Sequence, residues 1–262
     1  MASDIDRGRL SWFTPEALVE LGVRRSRVVI VNEAHDGDLH CRRTRLIGRR
    51  LLPVAHRGGV RHLAMEVLPN SGRLREWTAE ANRSRAVPPP PVAAGYLAQA
   101  DMRALIQDAL DLGWTLLAYE CDFDRELPAL AHRPPGDHET IAWREQEEAQ
   151  NLAGHVTALP SHGKVLVWCG WDHLAKTPLD GLTWMACRFW QLTGVEPFCI
   201  DQTISVHPGP AVVDLLPALT PELAARGGTA GLLAHDLAML PNLAERAARA
   251  DAFLFSLDNR LE

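Results

Sequence analysis

Acid and imidazole side chains crowd together where the first predicted strand ends. Residues 28–31 form an unbroken run of valine and isoleucine without polar alternation, which predicts a strand buried on both faces of a parallel sheet. Ligands of open α/β sheets bind at the carboxyl ends of the strands, so this position predicts a functional site. The polar residues that follow the run are Asn32, Glu33, His35, Asp36, Asp38 and His40.

Three further predicted strands carry acid or imidazole groups at their ends. Because the carboxyl ends of parallel strands meet at one edge of a sheet, these groups are expected to converge. A carboxylate buried among apolar neighbours needs a partner, since an isolated charge there is very costly. The simplest arrangement is carboxylates pairing with histidines around a water or a metal. The groups are Glu66 on the second strand, Glu120 and Asp122 after the third, and Asp172 and His173 after the fourth.

Two chemistries fit these residues. In one, Glu33 or Glu66 orients a histidine that takes a proton from water for attack on an ester or a similar group. In the other, His35, His173 and a carboxylate hold a divalent cation that lowers the pKa of water. In either case, Arg144 on a charged helix is placed to steady an oxyanion or a substrate carboxylate.

Other common active-site patterns are absent from the sequence. It contains no G-x-S-x-G nucleophile motif, and Cys169 falls inside an apolar strand, where a thiol is usually inert. It also has no G-x-x-x-x-G-K-[ST] motif, and no G-x-G-x-x-G after the first strand. These patterns give no support to a serine or cysteine nucleophile or to nucleotide binding.

Strand and helix patterns alternate along the chain. This alternation predicts an α/β fold with a mostly parallel central sheet flanked by helices and the site at the carboxyl ends of its strands. We find no linker that would divide the chain, so we expect residues 1–262 to form a single α/β domain. Between the last two predicted strands we expect helices at residues 221–226 and 241–250. The predicted strands cover residues 28–31, 63–68, 114–119, 164–169, 197–202 and 252–257.

Composition and charge restrict the partners and the compartment. The 27 basic and 33 acidic residues give a mild negative charge, which argues against nucleic acid or a membrane as the main partner. No apolar run approaches the roughly 18 residues of a spanning helix. The N-terminal residues lack a signal-peptide pattern, and the 5 cysteines include no C-x-x-C pair. We expect a cytoplasmic protein that acts on a small molecule, and we predict no particular oligomeric state.

Several residues near the strand ends are candidates for binding a substrate. Tryptophans 171, 184 and 190 suggest an apolar or aromatic pocket, and the four prolines at residues 88–91 suggest a stiff rim or lid. The predicted substrate-binding residues are Asn32, Asp36, Glu120, Asp122, Trp171 and Asp172.

The motifs resemble those of the ChaN-like proteins of the Tiki/erythromycin-esterase superfamily. Asn32-Glu33-Ala34-His35-Asp36 with His40 resembles their G-E-x-H-D…H opening, and Glu66 is similar to the glutamate that ends their second strand. Gly170-Trp171-Asp172-His173 is similar to their second G-x-x-H, and Arg144 followed by Ala149 is similar to their R-x-x-x-M-A helix. The resemblance spans roughly residues 26–195.

The resemblance implies a hydrolase of ester or amide bonds. His35 would be the general base or a metal ligand with Glu33 and Glu66 as partners, and His173 would be a second base, a ligand or an oxyanion group. A divalent metal (Mn, Fe, Co or Zn) would bind to His35, Glu66 and His173.

The resemblance also leaves two alternatives open. One is a haem- or metal-binding protein without turnover, in which haem would need a ligand such as Tyr96 or Tyr119 and is favoured less than a divalent metal. The other is a non-hydrolytic biosynthetic enzyme, because this chain has Asn32 and Glu148 where the family has glycine and methionine.

Overall fold

A seven-stranded sheet forms the centre of the protein. The computed structural model describes residues 10–34, 38–70, 72–90, 95–122, 137–206 and 208–257. The strand order is β3-β2-β4-β1-β5-β7-β6, and only β6 runs antiparallel to its neighbour among the described strands. This confirms the predicted α/β fold with a mostly parallel sheet. The strands are β1 (Val28–Glu33), β2 (Val60–Pro69), β3 (Thr115–Glu120), β4 (Lys164–Gly170), β5 (Phe198–Asp201), β6 (Thr229–Leu233) and β7 (Ala252–Ser256).

Helices cover both faces of the sheet. None of the helices among the described residues is long and apolar enough to cross a membrane. Two short 3-10 helices, Gly95–Ala98 and Trp171–Leu174, lie close to strand ends. The α-helices are α1 (Pro15–Arg25), α2 (Asp38–Arg57), α3 (Gly72–Ser84), α4 (Ala100–Asp111), α5 (His138–Ala158), α6 (Met185–Thr193), α7 (Pro210–Ala225), α8 (Ala234–Ala238) and α9 (Ala244–Ala247).

Strand β1 occupies a central position in the sheet and is buried along its whole length. It pairs with β4 on one side and with β5 on the other. Val29 and Val31 belong to the hydrophobic cluster on one face, and Val28 and Ile30 belong to the cluster on the opposite face. This double burial explains why the strand shows no polar alternation in the sequence.

The segment between β5 and β7 differs from the prediction. Strand β6 was not expected, because Gly231 at its centre weakens the strand pattern. Burial and pairing override this weakness: β6 pairs with β7, and Gly231 exchanges backbone hydrogen bonds with Phe13 at 2.9 and 2.8 Å. Helix α7 begins at Pro210 rather than at residue 221, and it runs through Pro217 and Pro221 because Leu215, Leu219 and Leu223 bury one helical face.

The described part of the proline-rich segment is held in place by side chains from α3 and α4. Trp77 Nε1 donates to the Pro89 carbonyl at 3.1 Å, Arg103 Nη1 donates to the Pro88 carbonyl at 2.8 Å, and Gln107 Nε2 donates to the Arg85 carbonyl at 3.1 Å. These anchors fit a fixed rim rather than a moving lid. Pro91 lies outside the described residues.

Candidate active site

Four buried carboxylates, one arginine and one histidine meet at the carboxyl ends of β2, β3 and β4. Glu66 comes from β2, Glu120 ends β3, and His173 lies on the 3-10 helix after β4. The sheet order places β3, β2 and β4 side by side, so the strand ends bring together residues far apart in sequence, as predicted. Helix α5 packs across these ends and contributes Arg144, Glu145 and Glu148.

Arg144 lies between three of the carboxylates. Its Nη2 contacts Glu66 Oε1 at 2.6 Å and Glu120 Oε2 at 2.5 Å, and its Nε lies 3.1 Å from Glu120 Oε1 and 2.9 Å from Glu148 Oε1. Burial alone would lower the pKa of Arg144, but Glu148, Glu120 and Glu66 raise it above its ordinary value. The guanidinium therefore remains charged, and its 28% exposed side chain reaches the cavity described below.

His173 is held between Glu66 and two carboxylates of α5. Its Nε2 lies 3.4 Å from Glu66 Oε1, and its Nδ1 lies 2.8 Å from Glu145 Oε1 and 3.2 Å from Glu148 Oε2. Burial lowers the pKa of His173, but Glu66, Glu148 and Glu145 outweigh burial and raise this pKa well above 6.5. Without another cation, the ring is an imidazolium at neutral pH, so it can give a proton but cannot accept one.

Glu120 is a buried carboxyl group whose pKa is raised into a range useful for catalysis. Burial and the charges of Glu148 and Glu66 raise the pKa of Glu120 to about 8, although Arg144 acts in the opposite direction. The Cys121 backbone N–H also donates to Glu120 Oε1 at 2.8 Å. A buried acid with a pKa in this range is suited to general acid–base catalysis.

Glu66, Glu148 and His173 fit the donor set of a divalent cation. Each offers one ligand atom, and these atoms lie within 4.8 Å of one another. Both oxygens of Glu148 are buried, with Arg144 Nε 2.9 Å from Oε1 and His173 Nδ1 3.2 Å from Oε2. His173 Nε2 and Glu66 Oε1 lie 3.4 Å apart, so one cation would be able to contact both atoms. Imidazole and carboxylate ligands suit Zn, Mn, Fe or Co.

A cavity of about 330 Å³ opens beside the cluster. Glu66, Glu120 and Arg144 form its polar wall. Val67, Tyr96, Met102 and Trp168 form an apolar wall. A cavity of this size lies at the lower end of the range for small-molecule sites.

Glu33 also lines this cavity, but an arginine that the sequence reasoning did not single out neutralises it. Arg45 Nε and Nη2 donate to the two Glu33 oxygens at 2.8 and 3.0 Å, and Trp168 Nε1 donates to Oε2 at 2.8 Å. Arg45 also donates to Gln99, and its guanidinium lies 5.4 Å from the centre of the Tyr96 ring. This bidentate pairing holds Glu33 as a fixed, ionised wall of the cavity.

Asn32 belongs to a second polar group, between β1 and β5. Its Nδ2 donates to the Trp171 carbonyl at 2.9 Å, to Asp201 Oδ1 at 3.1 Å and to Thr203 Oγ1 at 3.2 Å. Its Oδ1 accepts from the Gln202 backbone at 2.8 Å. Asn32 therefore ties two strand ends and a 3-10 helix together.

Asp172 lies near this second group. Burial and Asp201 raise the pKa of Asp172, and Arg246 opposes them while it donates to Asp201 at 2.7 Å. Of the described residues predicted to bind substrate, Glu120 is on the cavity wall, and Asn32, Asp122, Trp171 and Asp172 are not. His35 and Asp36 lie outside the described residues, so their predicted roles remain predictions.

The described tyrosines and cysteines differ in whether they can serve as ligands or nucleophiles. Tyr119 is buried and donates its hydroxyl to the Trp168 carbonyl at 3.3 Å, whereas Tyr96 lines the cavity. Burial raises the thiol pKa of Cys121, Cys169, Cys187 and Cys199. These four thiols are therefore protonated at neutral pH and are poor nucleophiles.

The sequence reasoning missed Glu145 and gave Glu148 no site role. Both are fully buried on a helix whose other buried residues are Ala149, Leu152 and Val156. The spacing of these five residues is that of the buried face of a helix. Glu145 and Glu148 at core positions of this helix could have indicated a polar site in the sequence, because buried acids require partners.

No protein-family model matches the sequence, and no curated protein matches it. Among solved structures, ChaN of Campylobacter jejuni, described with cofacial haem binding, has a TM-score of 0.53 at 11% identity, covering 93% of this chain and 91% of that one. RRSP, a MARTX toxin effector domain from Vibrio vulnificus, has a TM-score of 0.50 at 12% identity. That match covers 72% of this chain but only 36% of the toxin chain.

The C-terminal region of Pasteurella multocida toxin is similar to a comparable degree. It is described as having a thiol-protease-like catalytic triad, and it matches with a TM-score of 0.50 at 12% identity, covering 68% of this chain and 24% of that one. At such low identities these likenesses show the fold alone. The chain therefore has a ChaN-like fold that it shares with effector domains of bacterial toxins.

Proposed function

We propose that this protein is a hydrolase of ester or amide bonds in small molecules. The observation that carries the proposal is the cluster at the cavity, where Glu66, Glu120, Glu145 and Glu148 are buried and, among the described residues, contact the cationic groups of Arg144 and His173. Burying so many acids is costly for folding. Such an arrangement is typical of active sites, in which perturbed pKa values serve catalysis.

The residues of the cavity wall suggest a division of roles. Glu120, with its pKa of about 8, would take the proton from the attacking water and later give it to the leaving group. Arg144, charged and partly exposed to the cavity, would stabilise the oxyanion that develops on the substrate carbonyl. Glu66 accepts from Arg144 and from the Gly170 backbone N–H at 2.5 Å, so it fixes the position of the guanidinium.

Glu66, Glu148 and His173 would hold a divalent cation in the working enzyme. The cation would supply Lewis-acid polarisation of the substrate carbonyl and would lower the pKa of nearby water. It would also relieve the excess of negative charge in the cluster, and His173 would then be present as neutral imidazole. His35 stays in this proposal as a predicted base or ligand, on the strength of its sequence motif alone.

A haem-binding protein without turnover is the second candidate. Tyr96 on the cavity wall would offer a phenol oxygen to a haem iron, and the ChaN structure with the same fold is described with bound haem. An absorption spectrum of the purified protein separates the candidates. A Soret band that is lost in Tyr96→Phe would support haem binding, and a colourless protein that gains no Soret band with added haem would exclude it.

The hydrolase proposal is tested with a panel of chromogenic p-nitrophenyl esters and anilides of different chain lengths, assayed with Mn²⁺, Zn²⁺ or chelator. We expect turnover by the native protein and a loss of about 10²–10⁴-fold in kcat/KM for Glu120→Gln. Glu147→Gln, on the same helix but half-buried and away from the cavity wall, is the matched control and should keep its activity. Equal turnover by the native protein and Glu120→Gln would contradict the proposal.

A further inference from the structure

Glu145 lies behind His173, on the side of the ring away from Glu66. It is completely buried on α5. Its Oε2 accepts from the backbone N–H of Met185, the first residue of α6, at 2.6 Å. Its Oε1 lies 2.8 Å from His173 Nδ1. One carboxylate therefore joins the start of α6 to the imidazole ring.

The His173 ring is restrained on its other sides as well. The 3-10 helix Trp171–Leu174 fixes its backbone immediately after β4. Trp184 packs edge-on against the ring, with centroids 5.8 Å apart and an interplanar angle of 86°. With Nδ1 facing Glu145, Nε2 is the nitrogen that faces Glu66, at 3.4 Å.

We propose that Glu145 is a positioning residue that holds the proton of His173 on Nδ1 and so presents a bare Nε2 toward Glu66 as a cation ligand. This inference rests on the proposed function, because it assigns Glu145 to the cation centre. Histidines that ligate metals commonly donate their other ring N–H to a carboxylate, which fixes the tautomer and the ring orientation. Glu145 is well placed for this role because its other oxygen is already fixed by α6.

The variant Glu145→Gln tests the inference with little change in volume. The glutamine carbonyl can keep the contact with Met185 N–H, and its NH₂ group then faces Nδ1. An NH₂ donor in place of the closer carboxylate oxygen disfavours a proton on Nδ1, although Glu148 Oε2 remains 3.2 Å from that nitrogen. The ring proton therefore shifts toward Nε2, where it competes with a cation. We expect the dissociation constant for Mn²⁺, measured by calorimetric titration, to rise about 10–100-fold. Glu147→Gln is the control and should bind like the native protein.

Nitrogen-15 NMR of the His173 ring provides a readout that does not depend on activity. In the native protein loaded with Zn²⁺, the ring proton should reside on Nδ1. The inference is overturned if Glu145→Gln binds Mn²⁺ with native affinity, or if the native ring carries its proton on Nε2. The NMR measurement needs only native protein, so it decides the question even where the variant does not fold.

Failure of the proposed function gives a different result. If the native protein binds neither Mn²⁺ nor Zn²⁺, the cation centre is wrong. The positioning role of Glu145 is then tested by nitrogen-15 NMR of the metal-free protein, at a pH where the His173 ring carries a single proton. A proton on Nδ1 supports the role, and a proton on Nε2 overturns it.

Discussion

At the scale of single residues, the protein places ionisable groups where their usual protonation states are disfavoured. Burial among other acids raises the pKa of Glu120 to about 8, and three carboxylates keep His173 charged well above pH 6.5. Both shifts mean that the folded protein binds protons more tightly than the unfolded chain. By linkage, each group contributes stability at low pH that is lost as the pH rises.

The variant Glu120→Gln should show how much of the stability that is lost as the pH rises comes from Glu120 rather than from His173. The unfolded carboxyl titrates near 4.5 and the folded one near 8, so the penalty of ionising Glu120 grows between these values. We expect the variant to match the native free energy of unfolding near pH 4 and to exceed it by on the order of a few kcal/mol at pH 9. Urea unfolding at both pH values measures this. A stability difference that does not change with pH would show that the pKa of Glu120 is not raised.

The ion pair of Glu33 and Arg45 provides a second prediction at this scale. Arg45 is fully buried, so Arg45→Met should remove the bidentate partner of the buried Glu33 carboxylate and cost about 3–5 kcal/mol in the free energy of unfolding. Arg50→Met is the control, because Arg50 pairs with Glu16 at an exposed site, 61% and 29% exposed, where a pair contributes about 1 kcal/mol or less. Equal losses in the two variants would contradict this account.

At the scale of elements, a strand or helix could be predicted when its own sequence pattern was strong. Strand β1 was found because its apolar run is unbroken. Strand β6 was missed because Gly231 looks like a break, and the first half of α7 was missed because Pro217 and Pro221 look like stops. In both places, tertiary burial outweighs local preference, and a single sequence does not show that burial.

Gly231 is predicted to be required for close packing rather than for backbone freedom. A Cβ atom at this position would lie 2.4 Å from Leu18 Cδ1 and 3.0 Å from Leu254 Cδ2. We therefore expect Gly231→Ala to lower the melting temperature through an overpacking cost of about 1–3 kcal/mol. Gly154 on α5 has nothing within 4 Å of the same atom, so Gly154→Ala should be neutral or stabilising by about 0.5–1 kcal/mol. A neutral Gly231→Ala would show that Leu18 can move aside.

At the scale of the whole molecule, the strand order assembles the site. Glu66, Glu120 and His173 come from three separate βα units and become neighbours because β3, β2 and β4 are adjacent. This convergence could be predicted from the sequence, because acids at the ends of buried strands are a recognisable pattern. From α5, Arg144 was predicted as a site residue, but Glu145 and Glu148 were not, because the side of a helix that crosses the strand ends depends on the packed structure.

The metal content of the purified protein tests the central claim of this account most directly, namely that Glu66, Glu148 and His173 form one cation centre. Elemental analysis is made on native protein and on Glu148→Met, both purified without chelator, and Glu148→Met replaces the carboxylate with an uncharged side chain that offers no oxygen ligand. We expect close to one Mn, Fe, Co or Zn per native chain and almost none in folded Glu148→Met. A metal-free native protein that takes up no added ion, or an equal metal content in the two proteins, would contradict the claim.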